Sequence, residues 1–89
     1  MAKKRERLEI IKDVLSSVKN KHKIKPTQLL YSSNLSPQMF KRYIKELLEK
    51  DLIKLSCIEG KKYYLLTPKG FEFLKEYKTI VNFIENFGI

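Results

Sequence analysis

The side chains best suited to chemistry lie between residues 36 and 50, where cationic and amide groups recur at helical spacing. Gln38, Lys41, Arg42 and Lys45 are three or four residues apart, so a helix would carry them on one side. Arginine and glutamine can each make paired hydrogen bonds to a base edge, whereas lysine offers a mobile point charge suited to phosphates. We expect Gln38 and Arg42 to face bases and Lys41 and Lys45 to face phosphates. The alternative is an ordinary solvated helix face.

Further candidate contacts for a polyanion lie outside this helix. Lys61 and Lys62 follow Gly60 at a predicted turn, where a basic tip would reach a groove or its phosphates. The alternative for that tip is a solubilising turn with edge lysines. Backbone N–H groups at the start of a short helix can bind phosphate. The predicted contact set is Thr27, Gln28, Ser36, Gln38, Lys41, Arg42, Lys45, Lys61 and Lys62. The basic segment 3–7 is either a flexible arm or a frayed helix end.

No residue pattern favours catalysis or metal binding. His22 and Cys57 are the single histidine and cysteine, so an internal disulfide and a Cys/His zinc site are excluded. We interpret Cys57, in a predicted strand, as a small apolar filler rather than a nucleophile. The sequence therefore predicts a protein that is not an enzyme and needs no cofactor.

Composition favours a polyanionic partner. The chain has 89 residues, one domain's worth, with 19 Lys and Arg against 10 Asp and Glu, a net charge of +9. A lysine-rich soluble surface is the alternative. No apolar run approaches the roughly 20 residues that span a bilayer, and the N-terminus is charged. We expect a cytoplasmic, nucleoid-associated protein without a membrane partner.

Hydrophobic periodicity supplies the elements that hold these side chains. Apolar residues at three- and four-residue spacing predict helices over 4–20, 26–33 and 37–50. Ser36-Pro37 and Thr67-Pro68 are each a capping residue followed by a proline at the first helical position. Segments 52–58 and 62–67, joined by a turn, predict a β-hairpin, and the last helix runs over 68–87.

The order helix, helix, helix, hairpin, helix predicts a mainly α fold with a small β-hairpin (α+β), the winged helix-turn-helix arrangement. The turn between the second and third helices is short, and Leu35 within it is expected to point into the core. We expect residues 1–67 to form the winged helix-turn-helix part and residues 68–89 a long C-terminal dimerisation helix, together one structural unit.

The last helix carries more apolar area than its own small domain readily covers. Its apolar residues alternate in steps of three and four, as in a coiled-coil seam. The predicted homodimer contacts are Phe73, Leu74, Tyr77, Ile80, Val81, Ile84 and Phe87. The alternative is a monomer in which this helix folds back on the first helix.

Two stretches, LLYSSNLSPQMFKRYIKELLEKDLIKL and YYLLTPKGFEFLKEY, resemble the archaeal (crenarchaeal) ten-kilodalton winged-helix DNA-binding proteins. The resemblance implies dimers joined by an antiparallel coiled coil of the last helices, with a winged helix at each end. It also implies a transcriptional regulator or a chromatin protein that binds double-stranded DNA. The rival hypothesis is a winged helix that docks an acidic protein partner, and RNA binding is a weaker third option.

Overall fold

A computed structural model describes residues 6–88 of the chain. Its elements are α1 (Arg7–Lys21), α2 (Pro26–Ser33), α3 (Pro37–Glu49), β1 (Ile53–Ile58), β2 (Lys61–Leu66) and α4 (Pro68–Asn86). This order confirms the predicted winged helix-turn-helix arrangement, with bounds within about a residue of those expected except at the first helix, where Glu6, predicted to be helical, is the N-cap of α1. The predicted start of the first helix, at residues 4 and 5, lies outside the described residues. None of the helices within 6–88 is long and apolar enough to span a membrane.

The core forms where the apolar stripe of α1 meets α2, α3 and the hairpin. Val14, Leu15 and Val18 of α1 are fully buried, and they pack with Leu29 of α2 and Leu47 of α3. Burying whole aliphatic side chains contributes roughly 1.5–3 kcal/mol each. The shared core therefore fixes how α3 is rotated about its own axis.

The turn between α2 and α3 is held by local hydrogen bonds. Ser33 is buried and its Oγ accepts the Leu35 N–H at 3.3 Å, while Asn34 adopts the left-handed conformation with φ +61°. Leu35 is half-buried against the core, as predicted. Ser36 caps α3, its Oγ accepting the Met39 N–H at 3.3 Å. These contacts set the angle at which α3 leaves the turn.

The wing is an antiparallel hairpin in which Ile53 lies opposite Leu66 and Ile58 opposite Lys61. Its two loop residues, Glu59 and Gly60, both have positive φ (51° and 77°), the combination of a type I′ turn, whose twist suits a tight hairpin.

Two features of the wing differ from expectation. Ile24, in the predicted loop before α2, forms an isolated antiparallel bridge to Tyr64 of β2. Its N–H donates to the Tyr64 carbonyl at 3.1 Å, and its carbonyl accepts the Tyr64 N–H at 2.8 Å. Cys57 is exposed, so the interpretation that it fills apolar space is wrong. It lies opposite Lys62 near the hairpin tip, where the strands extend beyond the core.

Hydrogen bonds and close packing hold the first turn of α4 against the segment that follows α3 and against the hairpin. The Thr67 hydroxyl donates to the Asp51 carbonyl at 2.6 Å and accepts the Gly70 N–H at 3.0 Å. Gly70 is buried, and a Cβ built there would lie 2.3 Å from the Leu52 carbonyl oxygen and 2.6 Å from Leu66 Cδ1. The close approach of α4 therefore requires glycine at this position.

We expect Gly70→Ala to destabilise the protein by roughly 1–3 kcal/mol, because overpacking against a backbone carbonyl outweighs the gain in helix propensity. Urea unfolding followed by circular dichroism measures the change. Lys69→Ala, one residue earlier on the exposed side, is the control and should stay within about 0.5 kcal/mol of wild type. Equal stability of the two variants would contradict this account of the α4 anchor.

An ion pair joins the first turn of α1 to α3. Arg7 Nη2 donates to Glu46 Oε2, and Lys50 Nζ lies 3.6 Å from the same oxygen. The hydrogen bond from Arg7 is the main cause that lowers the pKa of the Glu46 carboxyl. It also raises the pKa of the Arg7 guanidinium.

The lowered pKa of Glu46 predicts a pH-dependent contribution to stability. A carboxyl whose pKa is lower folded than unfolded stabilises the fold above its unfolded pKa, and this stabilisation disappears as pH falls through the folded value. We therefore expect Glu46→Gln to melt below wild type at pH 7 and the gap to close in strong acid. Thermal melts across pH measure this, with the exposed Glu49→Gln as control. A gap that is independent of pH would contradict the ion pair.

Candidate nucleic-acid interface

The two sides of α3 differ sharply in polarity. Ile44 and Leu47 are buried, and Phe40 and Tyr43 are half-buried against the core. A helix with one side buried must present the opposite side to solvent. That side carries the four residues singled out in the sequence, Gln38, Lys41, Arg42 and Lys45, here called the α3 cationic face.

All four residues of the α3 cationic face are exposed. Together with Met39 they line one shallow groove of about 460 Å³. Among residues 6–88, none of the three basic side chains of this face forms an ion pair, and Arg42 Nη1 makes only a weak contact of 3.7 Å with Met39 Sδ. The face is thus an uncompensated cationic surface on a rigid helix.

One acidic residue beside this face is already engaged. Glu46 lies beside Arg42, Met39 and Tyr43 in a neighbouring groove, but its carboxylate binds Arg7 of α1. Glu46 is therefore neutralised from outside α3. The Arg7 contact was not anticipated, since the two residues are 39 positions apart in sequence.

Three further predicted contacts lie at helix starts. Thr27 and Gln28 are exposed in the first turn of α2. The Gln28 side-chain oxygen accepts the Lys25 N–H at 3.3 Å, so the start of α2 is held in shape by its own side chain. Ser36 is also exposed and uses its Oγ to cap α3. Thr27, Gln28 and Ser36 are thus all exposed, with Gln28 and Ser36 already hydrogen-bonded to the backbone.

The wing contributes a separate group of cations. Lys61 and Lys62 are exposed at the start of β2. Lys23 Nζ lies 4.8 Å from the centre of the Tyr63 ring, a cation–π contact that ties the loop before α2 to the hairpin. Neither that contact nor the 82% exposure of Tyr31 was evident from the sequence, because both depend on which residues the core leaves outside.

The predicted dimer contacts fall into two groups in α4. Phe73 and Leu74 are half-buried and pack on the core of their own chain. Tyr77 and Val81 are also half-buried and line a groove shared with α1. Ile80, Ile84 and Phe87 are exposed, together with Phe83, whose ring centre is 4.6 Å from that of Phe87. The N-terminal half of α4 thus packs on its own domain, and the C-terminal half leaves an apolar surface open.

Comparison with known sequences assigns this chain to a family. A family model described as winged helix-turn-helix matches residues 4–85. An uncharacterized protein of the archaeon Methanocaldococcus jannaschii is 36% identical over 81 residues. That match covers 91% of this chain and 36% of the relative, so the chain spans little more than a third of the relative's length.

Solved structures share the fold. Sso10a-2, a DNA-binding protein from Sulfolobus solfataricus, has a TM-score of 0.76 at 20% identity, covering 93% of this chain and 85% of its own. SSV1 F-93 has a TM-score of 0.71 at 23% identity and covers 98% and 99%. A MarR family transcriptional regulator from Silicibacter pomeroyi has a TM-score of 0.74 at 23% identity and covers 89% and 56%.

These likenesses at low identity show the fold alone, while the family model, which matches most of the chain, carries the assignment. The resemblance to archaeal winged-helix proteins, drawn from the segments around α3 and the start of α4, is confirmed. This chain belongs to the winged helix-turn-helix family.

Proposed function

We propose that the protein binds double-stranded DNA through the α3 cationic face, as a homodimer that acts as a transcriptional regulator or a chromatin protein. One observation carries the proposal: the exposed side of α3 holds an amide, a guanidinium and two ammonium groups. None of these charged groups forms an ion pair with another of the residues 6–88. Such a surface on a winged helix-turn-helix matches the chemistry of a duplex groove.

In this proposal the N-terminal half of α3 enters the major groove. Gln38 and Arg42, one helical turn apart, read base edges through their planar fork-like groups. Lys41 and Lys45 flank them and reach the phosphates. Because the buried side of α3 fixes its rotation, these side chains approach the groove in one register.

The other contacts position the protein without reading sequence. Thr27, Gln28 and Ser36, at the starts of α2 and α3, bind backbone phosphates, and Lys61 and Lys62 of the wing bind beside them. Contacts of this kind release counterions, so affinity falls steeply as salt rises.

The comparisons support this assignment at the level of class. Sso10a-2 is a DNA-binding protein, and a transcriptional regulator shares the fold. We propose that the protein is a DNA-binding protein and not an enzyme. We also propose that it acts in the nucleoid, where DNA is found.

Two substitutions on α3 separate base reading from phosphate binding. A preferred site is first selected from a random duplex library, and affinities for that site and for random duplex are then measured by fluorescence anisotropy. We expect Arg42→Ala to lose about 1–3 kcal/mol of discrimination between the two duplexes. Lys41→Ala should weaken both about equally and reduce the salt slope by about 1.

Lys75→Ala, which removes an exposed lysine of α4, is the matched control and should leave both affinities unchanged. Equal losses on both duplexes for Arg42→Ala would refute its role in base reading. No binding of random duplex at low salt and micromolar protein would favour the rival function, docking of an acidic protein partner by the basic surface.

We also propose that α4 joins two copies of the chain, so that residues 68–89 serve as the dimerisation helix of a winged helix-turn-helix part formed by 1–67. The surface that supports this is the α4 outer face, defined as Ile80, Phe83, Ile84 and Phe87, all exposed. A contiguous apolar face of this kind on a small domain marks an interface. A two-fold dimer would present two α3 helices to two half-sites.

A charge placed in the α4 outer face tests the dimer. Ile80→Asp should convert a dimer to a monomer at micromolar concentration without loss of helix content, because it puts a carboxylate into a desolvated apolar contact. Sedimentation equilibrium measures the mass and circular dichroism the fold. Asn82→Asp adds the same charge to an exposed residue on another side of α4 and should stay dimeric. A monomeric wild type, or equal masses for both variants, would refute the proposed interface.

A further inference from the structure

An apolar groove lies beside the α3 cationic face, between α2, α3 and β2. Its volume is about 400 Å³. Ile44 and Tyr64 are buried and Phe40 is half-buried, so these three side chains form its base. Leu30 of α2 and Pro37 at the start of α3 complete the apolar lining. The groove therefore offers apolar contact to a ligand group that approaches α3 from this side.

The polar edge of the groove belongs to the surface that we assign to DNA. Gln38 and Lys41 line the groove, and both are exposed residues of the α3 cationic face. No carboxylate lines it, and Lys41 forms no ion pair with another of the residues 6–88. Arg42, on the other side of this face, lines a separate groove with Glu46. A duplex held by the α3 cationic face would therefore also meet the apolar groove.

Backbone contacts fix the walls of the groove. The bridge between Ile24 and Tyr64 holds β2 against the segment that leads into α2. The Ser36 hydroxyl caps α3 directly before Pro37, so the first turn of α3 is also held in place. The groove is thus preformed, and a ligand group that enters it does not have to order these elements first.

We propose that this groove receives the 5-methyl group of a thymine, in the base pair next to the one that Gln38 contacts. The inference rests on the proposed DNA binding. Among the groups that base pairs present in the major groove, the thymine methyl is the apolar one, whereas the others donate or accept hydrogen bonds. This methyl lies at the edge of the base nearest to its own sugar and phosphate. The groove has matching neighbours, since the residue assigned to a base and the lysine assigned to a phosphate both line it.

The test replaces the thymines of the selected duplex one at a time by deoxyuridine, which lacks only the methyl group. Fluorescence anisotropy measures the affinity of the full-length wild-type protein for each duplex. We expect one position in each half-site to bind about fourfold more weakly as uridine, which is the loss expected for one buried methyl group. Replacement at the other positions should leave the affinity unchanged.

Two leucine variants test whether the effect arises in the groove. Leu30 is half-buried and lies outside the buried core, so Leu30→Ala should leave the fold intact. Because the methyl group would lose one wall of the groove, the ratio of affinities for thymine and uridine at that position should fall close to one. Leu8→Ala removes the same atoms from an exposed residue of α1 outside the groove and should keep the fourfold ratio.

Three results would overturn the thymine contact while leaving DNA binding in place. They are equal affinity for thymine and uridine at every position, a selected site that contains no thymine, and equal ratios for the two leucine variants. Absence of binding to any duplex would instead refute the proposed function, and this inference with it. An apolar segment of an acidic protein would then be the better candidate for the groove.

Discussion

Burial of one side of α3 is the constraint from which the chemistry of this protein follows. Leu47 is fully buried and Ile44 nearly so, and both belong to one buried cluster with residues of α1, α2 and the hairpin. A helix held on this side cannot rotate without exposing those side chains, at a cost of roughly 1.5–3 kcal/mol each. Lys41, Arg42 and Lys45 must then face solvent close together. Their mutual repulsion is weak in water and is outweighed by the core behind them.

Much of this arrangement was predictable because its signals are local. A proline after Ser36 or Thr67 fixes a helix start, since the capping hydroxyl and the proline act within one turn. The three- and four-residue spacing around Ile44 and Leu47 then determines which side of α3 is buried. The exposure of Gln38, Arg42 and their neighbours could therefore be predicted from the sequence, although their contacts with DNA remain a proposal.

The features that could not be predicted depend on contacts between distant residues. Ile24 is a strand position only because Tyr64, 40 residues later, offers both its N–H and its carbonyl. A strand one residue long has no periodicity to detect. In the sequence, nothing distinguishes Arg7 and Glu46 from other surface charges, because only the fold brings them together. Cysteine is a residue type that is often buried, but Cys57 is exposed because the hairpin extends beyond the core.

The start of α4 combines a local signal with contacts between distant residues. Thr67 and Gly70 fix its first turn against Asp51 and Leu52, and α1 packs along the following turns, so the helix leaves the domain in one direction. In a two-fold dimer formed by the α4 outer face, that direction sets the distance and angle between the two α3 helices. The spacing of DNA half-sites would then be determined by a hydroxyl and a missing Cβ far from any base. A change at Gly70 should therefore alter half-site spacing as well as stability, whereas a change at Arg42 should alter base preference alone.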